Sequence, residues 1–183
     1  MSRVIGAWGF AAASSVLGYV AFYTLNTWLF STFAVTEHIA WVFLPAAIRM
    51  VAVLLAGWAG VAGLFVGSVA VIAPMLLTDP AHALILATLS SVPSLYAAQA
   101  VRRLRHIPGD LAGMTGRDLM AFGVAGGLAN SAVHTLYFML RAESLQPLAG
   151  FIPMFVGDAI GTFAMLYAGA TLLRRMRLPG SES

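Results

Sequence analysis

Apolar residues run through this chain in blocks long enough to cross a bilayer, separated by brief polar punctuation. Six such blocks stand out: roughly Val4 to Phe33, Ile39 to Gly57, Val61 to Leu77, Ala81 to Val101, Leu119 to Leu140 and Phe151 to Leu173. A helix needs about 20 apolar residues to span the hydrocarbon core, so each block predicts one transmembrane helix. The pattern therefore predicts an all-α, polytopic membrane helix bundle of six spans, forming one domain over residues 1–183. Boundary residues agree with it. Asp79 before Pro80 reads as an N-cap with proline at the first helical position. Thr115 with Asp118 reads as a capping box that opens the fifth helix. The glycine-bearing stretch Gly57-Trp58-Ala59-Gly60 predicts a tight turn between the second and third helices. Fusing those two helices would give about 39 residues, nearly twice what a bilayer requires.

Composition places the chain in the same class. It is 60% hydrophobic and 9% charged, with a mean hydropathy of +0.88, well outside the range of soluble domains. The first block is too long for a signal-peptide core and no small-residue cleavage site leads into a polar chain, so a retained helix is expected. No cysteine is present, which removes disulfides, thiolate metal sites and cysteine nucleophiles. All ten basic residues are arginine, so Schiff-base chemistry has no lysine to use.

Arginine placement predicts orientation, because cytoplasmic loops are enriched in positive charge. Arg3, the loop carrying Arg102, Arg103, Arg105 and Arg117, and the tail with Arg174, Arg175 and Arg177 then share the cytoplasmic side. Only Arg141 faces out, beside loops bearing Glu37 and His38, and Asp79 and His82. Both termini are expected in the cytoplasm, in a multi-pass protein of the cell inner (plasma) membrane. The net charge of +3 is accounted for by topology and lipid headgroups, without nucleic acid.

Against this apolar background, Arg49, His134 and Asp158 fall inside predicted spans, where ionisable groups are costly and mark pairs or pathways. At 1.5 Å per residue, Arg49 lies roughly 15 Å, Asp158 roughly 12 Å and His134 roughly 10 Å below the same outer face. Asn130, His134, Tyr137 and Arg141 follow at spacings of four, three and four, on one helical face. Arg49, Asp158, His134, Asn130 and Tyr137 are thus the candidate ligand-binding residues. Two readings of them stay open. One is an outward-facing pocket for a small-molecule or ion ligand, with Arg49 and His134 donating to an anionic or amide-bearing group. The other is a structural ion pair between Arg49 and Asp158, capped by Asn130 and Tyr137. No ionisable residue on the inner half continues a proton relay.

Small residues supply the packing logic, since helices in lipid associate by close backbone approach. Gly123, Gly127 and Ser131 repeat on the fifth helix, Gly157 and Gly161 on the sixth, Ala11 and Ser15 on the first. Ser90, Ser91, Pro93 and Ser94 predict a kinked fourth helix whose hydroxyls absorb freed carbonyls. Phosphate loops, His-Glu-x-x-His and Gly-x-Ser-x-Gly motifs do not occur. The expectation is therefore no enzyme, no catalytic residues, no metal and no cofactor.

Leu44-Pro45-Ala46-Ala47-Ile48, Leu54-Leu55-Ala56-Gly57, Gly63-Leu64-Phe65-Val66-Gly67-Ser68 and Gly157-Asp158-Ala159-Ile160-Gly161 resemble segments of MASE1-type sensory membrane domains. The resemblance implies a sensory module whose output lies in a membrane or cytoplasmic partner protein. In architecture, six helices with polar groups in the outer half also resemble the substrate-binding S component of an energy-coupling-factor transporter. That likeness implies uptake with an ATPase-bearing partner. An accessory membrane subunit with only a structural ion pair is the remaining alternative.

Overall fold

The computed structural model describes residues 2–36, 39–141 and 147–176. Glu37, His38 and Arg177, which entered the charge reading, lie outside them. The chain forms α1 (Ser2–Phe30), a 3-10 turn (Ser31–Phe33), β1 (Ala34–Thr36), β2 (Ile39–Ala40), α2 (Pro45–Ala56), α3 (Trp58–Val71), α4 (Ala73–Thr78), α5 (Pro80–Leu104), α6 (Gly116–Leu140) and α7 (Pro147–Met176). Four segments are helical, long and apolar enough to cross a membrane: Val4–Phe33, Pro80–Leu104, Gly116–Leu140 and Leu148–Met165. This is a helical membrane protein.

The remaining two apolar blocks are realised differently from the expectation. Block 39–57 is not one helix. Its start forms β2, pairing antiparallel with β1 through Ala34 and Ala40, and helix begins only at Pro45. The physical reason is Pro45, whose ring would meet the carbonyl four residues back and which has no N–H for it. Block 61–77 starts earlier than expected, at Trp58, and is broken at Ile72 between α3 and α4. Pro74, near the start of α4, would likewise clash with the carbonyl of Ala70. At 12 and 14 residues, α2 and α3 are about 18 and 21 Å long, short of a bilayer core.

Non-helical backbone inside an apolar bundle must find its partners within the protein. The segment between β2 and α2 does so. Trp41 N–H donates to Phe33 O (3.0 Å), Phe43 N–H to Gly157 O (3.1 Å) and Leu44 N–H to the buried Asn26 Oδ1 (2.8 Å). Gly157 and Gly161 make room for this chain: a Cβ on either would collide with the carbonyls of Ala40 and Phe43. The small face of α7 therefore receives non-helical backbone.

The other small faces pack helix on helix. Gly63 and Gly67 of α3 abut Ala12, Ser15, Val16 and Tyr19, so α1 and α3 run parallel. Gly123 and Gly127 of α6 abut Thr162 and Asp158 in an antiparallel α6–α7 pair. The capping expectations hold: Asp79 accepts from His82 N–H, and Thr115 and Asp118 form a reciprocal capping box. Gly57 takes a positive φ of 54° in the turn between α2 and α3, a conformation that glycine adopts without penalty. The main core surrounds Leu64 and Phe122; a smaller cluster joins Ile39 of the hairpin to Leu86, Phe138 and Met154. The long elements alternate in direction, with α4 continuing α3, so the hairpin, Asp79 and Arg141 gather at one end and the Arg102–Arg117 loop at the other.

Candidate functional site

Arg49 stands in the second turn of α2 and Asp158 in the middle of α7, two neighbouring elements that run the same way. Their side chains meet: Arg49 Nη2 donates to Asp158 Oδ1 at 2.6 Å, with side chains only 4% and 3% exposed. The second carboxylate oxygen accepts from Asn130 Nδ2 of α6 at 2.9 Å. Phe43 lays its ring 5.1 Å from the guanidinium carbon, within reach of a cation–π attraction. His134, one turn beyond Asn130, has Nδ1 3.0 Å from the Asn130 carbonyl. A carbonyl only accepts, so Nδ1 carries the proton, and in the neutral ring Nε2 is left to accept. Ser90 Oγ of α5 lies 3.5 Å from that nitrogen. Arg49, Asp158, Asn130, His134 and Ser90 thus form one polar chain across four helices.

Tyr137 does not join it. Its hydroxyl is 2.7 Å from His82 Nδ1, and the two rings stack with centroids 5.5 Å apart. The expected cap from Tyr137 on the ion pair is therefore absent, because one further helical turn carries the residue past Asp158 toward α5. Arg141, at the end of the same stripe, pairs with Asp79 at 3.0 Å. The Asp79 carboxyl is held below the ordinary carboxylate range, chiefly by the His82 N–H it caps and also by Arg141. These two contacts tie the start of α5 to the end of α6.

Beside the polar chain are two adjoining cavities. The inner one, about 50 Å³, is lined by Arg49, Asn130, Asp158 and Met154. The outer one, about 230 Å³, lies under the hairpin, among Tyr19, Tyr23, Asn26, Ser68 and Ala87. Ala40, Phe43, Ser90 and His134 line both and so separate them. Thr27, Ser31 and Ala34 are exposed on the rim, whereas Ser68, Ala87 and His134 are buried at the floor. Buried polar groups ordinarily find a partner. Two at these cavities have none: Ser68 Oγ in the outer chamber and Asn130 Oδ1 in the inner.

Depth arithmetic singled out Arg49, Asp158 and His134, and helical spacing added Asn130; the structure brings these four together. Neither signal revealed the outer chamber, although Tyr19, Tyr23, Asn26 and Phe30 repeat at four, three and four residues along α1. That stripe was a readable signal, hidden because aromatic residues are unremarkable in an apolar block. Among the described residues no three His, Asp or Glu side chains converge as a metal centre would require.

No protein-family model matches this sequence, and no curated protein or solved structure matches it.

Proposed function

We propose that this protein is a membrane-embedded binding module that takes a small molecule into the cavity beneath its hairpin. The observation that carries the reading is the pair of chambers, walled by aromatic rings and lined by buried polar groups, with Ser68 Oγ and Asn130 Oδ1 unpartnered. Binding sites are concave, mostly apolar and supplied with a few convergent polar groups. A purely structural ion pair would need neither the 230 Å³ chamber nor the unpartnered Ser68.

The chain crosses the plasma membrane six times in this reading, with both termini and the Arg102–Arg117 loop in the cytoplasm. The non-helical stretch from Ile39 to Leu44, strand at Ile39–Ala40 and turning into helix at Leu44, precedes α2 in the second crossing. Helices α3 and α4 together make the third crossing. The pocket then opens toward the outer side, opposite the arginine-rich loop, as positive charge inside requires.

Output passes to a partner protein, as in a MASE1-like sensory module. A second reading, the binding component of an uptake transporter, is favoured by α1. Its apolar window is 11% buried, against 33% to 44% in the three other long helices, leaving a long face for a coupling protein. Mass spectrometry of the gently purified protein tests both levels. The wild-type chain carries a small molecule that Ala34→Trp, placed on the exposed rim, excludes; equal small-molecule content in the two would sink the pocket. A co-purifying membrane coupling protein with ATPases would replace the sensory reading with uptake.

A further inference from the structure

The chemistry of the inner chamber restricts what its ligand can be, on the premise that the cavity is the binding site proposed above. Arg49 and Asp158 neutralise each other at 2.6 Å, so the chamber holds two opposite charges and no net charge. An anionic head would meet an arginine already engaged and would bring like charge beside the Asp158 carboxylate. A cationic head would meet the same difficulty at Arg49. In a buried site such unpaired charge is strongly disfavoured. A neutral head escapes both penalties.

Hydrogen-bond partners, by contrast, are in demand. Asn130 is 4% exposed and its Oδ1 has no partner, so it calls for a donor. Arg49 directs one bond to Asp158 from a fork of five N–H donors and calls for an acceptor. Both residues line the same 50 Å³ space. A water needs about 10–15 Å³ on this measure, so the chamber admits a head of about three or four heavy atoms. The outer chamber, at 230 Å³, exceeds the roughly 150 Å³ cavity that takes benzene. Tyr19, Tyr23 and Phe43 give it aromatic walls.

We propose that the pocket selects an uncharged molecule combining one aromatic or similarly sized apolar body with a carboxamide-type head. The head carbonyl accepts from Arg49, its N–H donates to Asn130 Oδ1, and the body occupies the outer chamber. Phe43, Ser90 and His134 form the neck between them.

The chain has no cysteine, so a Ser68→Cys variant places one thiol on the floor of the outer chamber. Its reaction rate with a small thiol-directed reagent, in reconstituted vesicles, reads occupancy. Phenylacetamide is expected to protect this thiol at a concentration at least ten-fold lower than phenylacetate, phenethylamine or toluene. Adding Asn130→Ala is expected to reduce phenylacetamide to the level of toluene while the thiol still reacts; the probe series with Asn130 intact decides even where that variant fails to fold. Equal or better protection by either charged probe overturns the selectivity and leaves the pocket standing. So does protection by toluene equal to that by the amide, or a reactive thiol that no probe protects. A thiol that never reacts removes the pocket itself.

Discussion

At the residue scale, the question is what a buried pair such as Arg49 and Asp158 contributes. Desolvating two charges costs several kcal/mol each, and their attraction offsets this only when geometry and further hydrogen bonds are good. Here both carboxylate oxygens are engaged and an aromatic ring covers the guanidinium. Removing one partner leaves an uncompensated charge, so Arg49→Ala and Asp158→Ala are each expected to lose about 3–5 kcal/mol of stability. The double variant should lose clearly less than the sum, because it leaves neither charge alone. Reversible unfolding of the three variants in mixed micelles measures this coupling; additive losses would deny it. The exposed Arg141–Asp79 pair differs in kind, since solvent screens it. The depressed pKa of Asp79 makes its contribution present above the ordinary carboxylate value of 3.8 and lost as pH falls below that value. Residue-level legibility followed the same division. Arg49, Asp158 and His134 were readable because ionisable groups at depth are rare, and Asn130 because it shares a helical face with His134. The partner of Tyr137 was not readable, since helical phase gives a face but not which neighbour that face meets.

At the scale of elements, proline decided where apolar sequence stopped being helix. Hydropathy treats residues 39–57 and 61–77 as two uniform blocks, yet Pro45 and Pro74 set the helix starts at α2 and α4. Proline alone is an insufficient rule, because α5 and α7 run on through Pro93 and Pro153. What distinguishes the chain before Pro45 is that its freed N–H groups have other acceptors, at Phe33, Gly157 and Asn26. Those acceptors lie far away in sequence, so no local pattern reveals them. The glycines of α7 were legible as a close-packing face, but not that backbone rather than a helix would fill it. Gly161→Ala tests this seat. Its Cβ would strike the Phe43 carbonyl, and overpacking of this kind costs about 1–3 kcal/mol. Gly9→Ala in α1 meets nothing within 4 Å and should gain up to about 1 kcal/mol from helix propensity. Thermal unfolding of both variants in the same detergent gives the comparison; equal midpoints would mean that the non-helical segment is not held against α7.

For the whole molecule, the bundle closes at the arginine-rich end and stays open at the other. Leu64, Phe122 and their neighbours fill the interior toward the first end. The hairpin lines the chamber at the second, through Ala34, Ile39 and Ala40. The helical membrane class was legible from block lengths. The cavity was not, because a void is set by how the elements fit together, and the non-helical segment that shapes it was hidden in an apolar block. The central claim is that this void receives a molecule from the side opposite the Arg102–Arg117 loop. Its most direct test is the labelling of Ser68→Cys by a membrane-impermeant thiol reagent in vesicles of defined orientation, with and without Ala34→Trp. The account predicts reaction from the side opposite that loop, slowed at least ten-fold by Ala34→Trp. Reaction from the arginine-rich side, or a rate indifferent to the tryptophan at the rim, would contradict it.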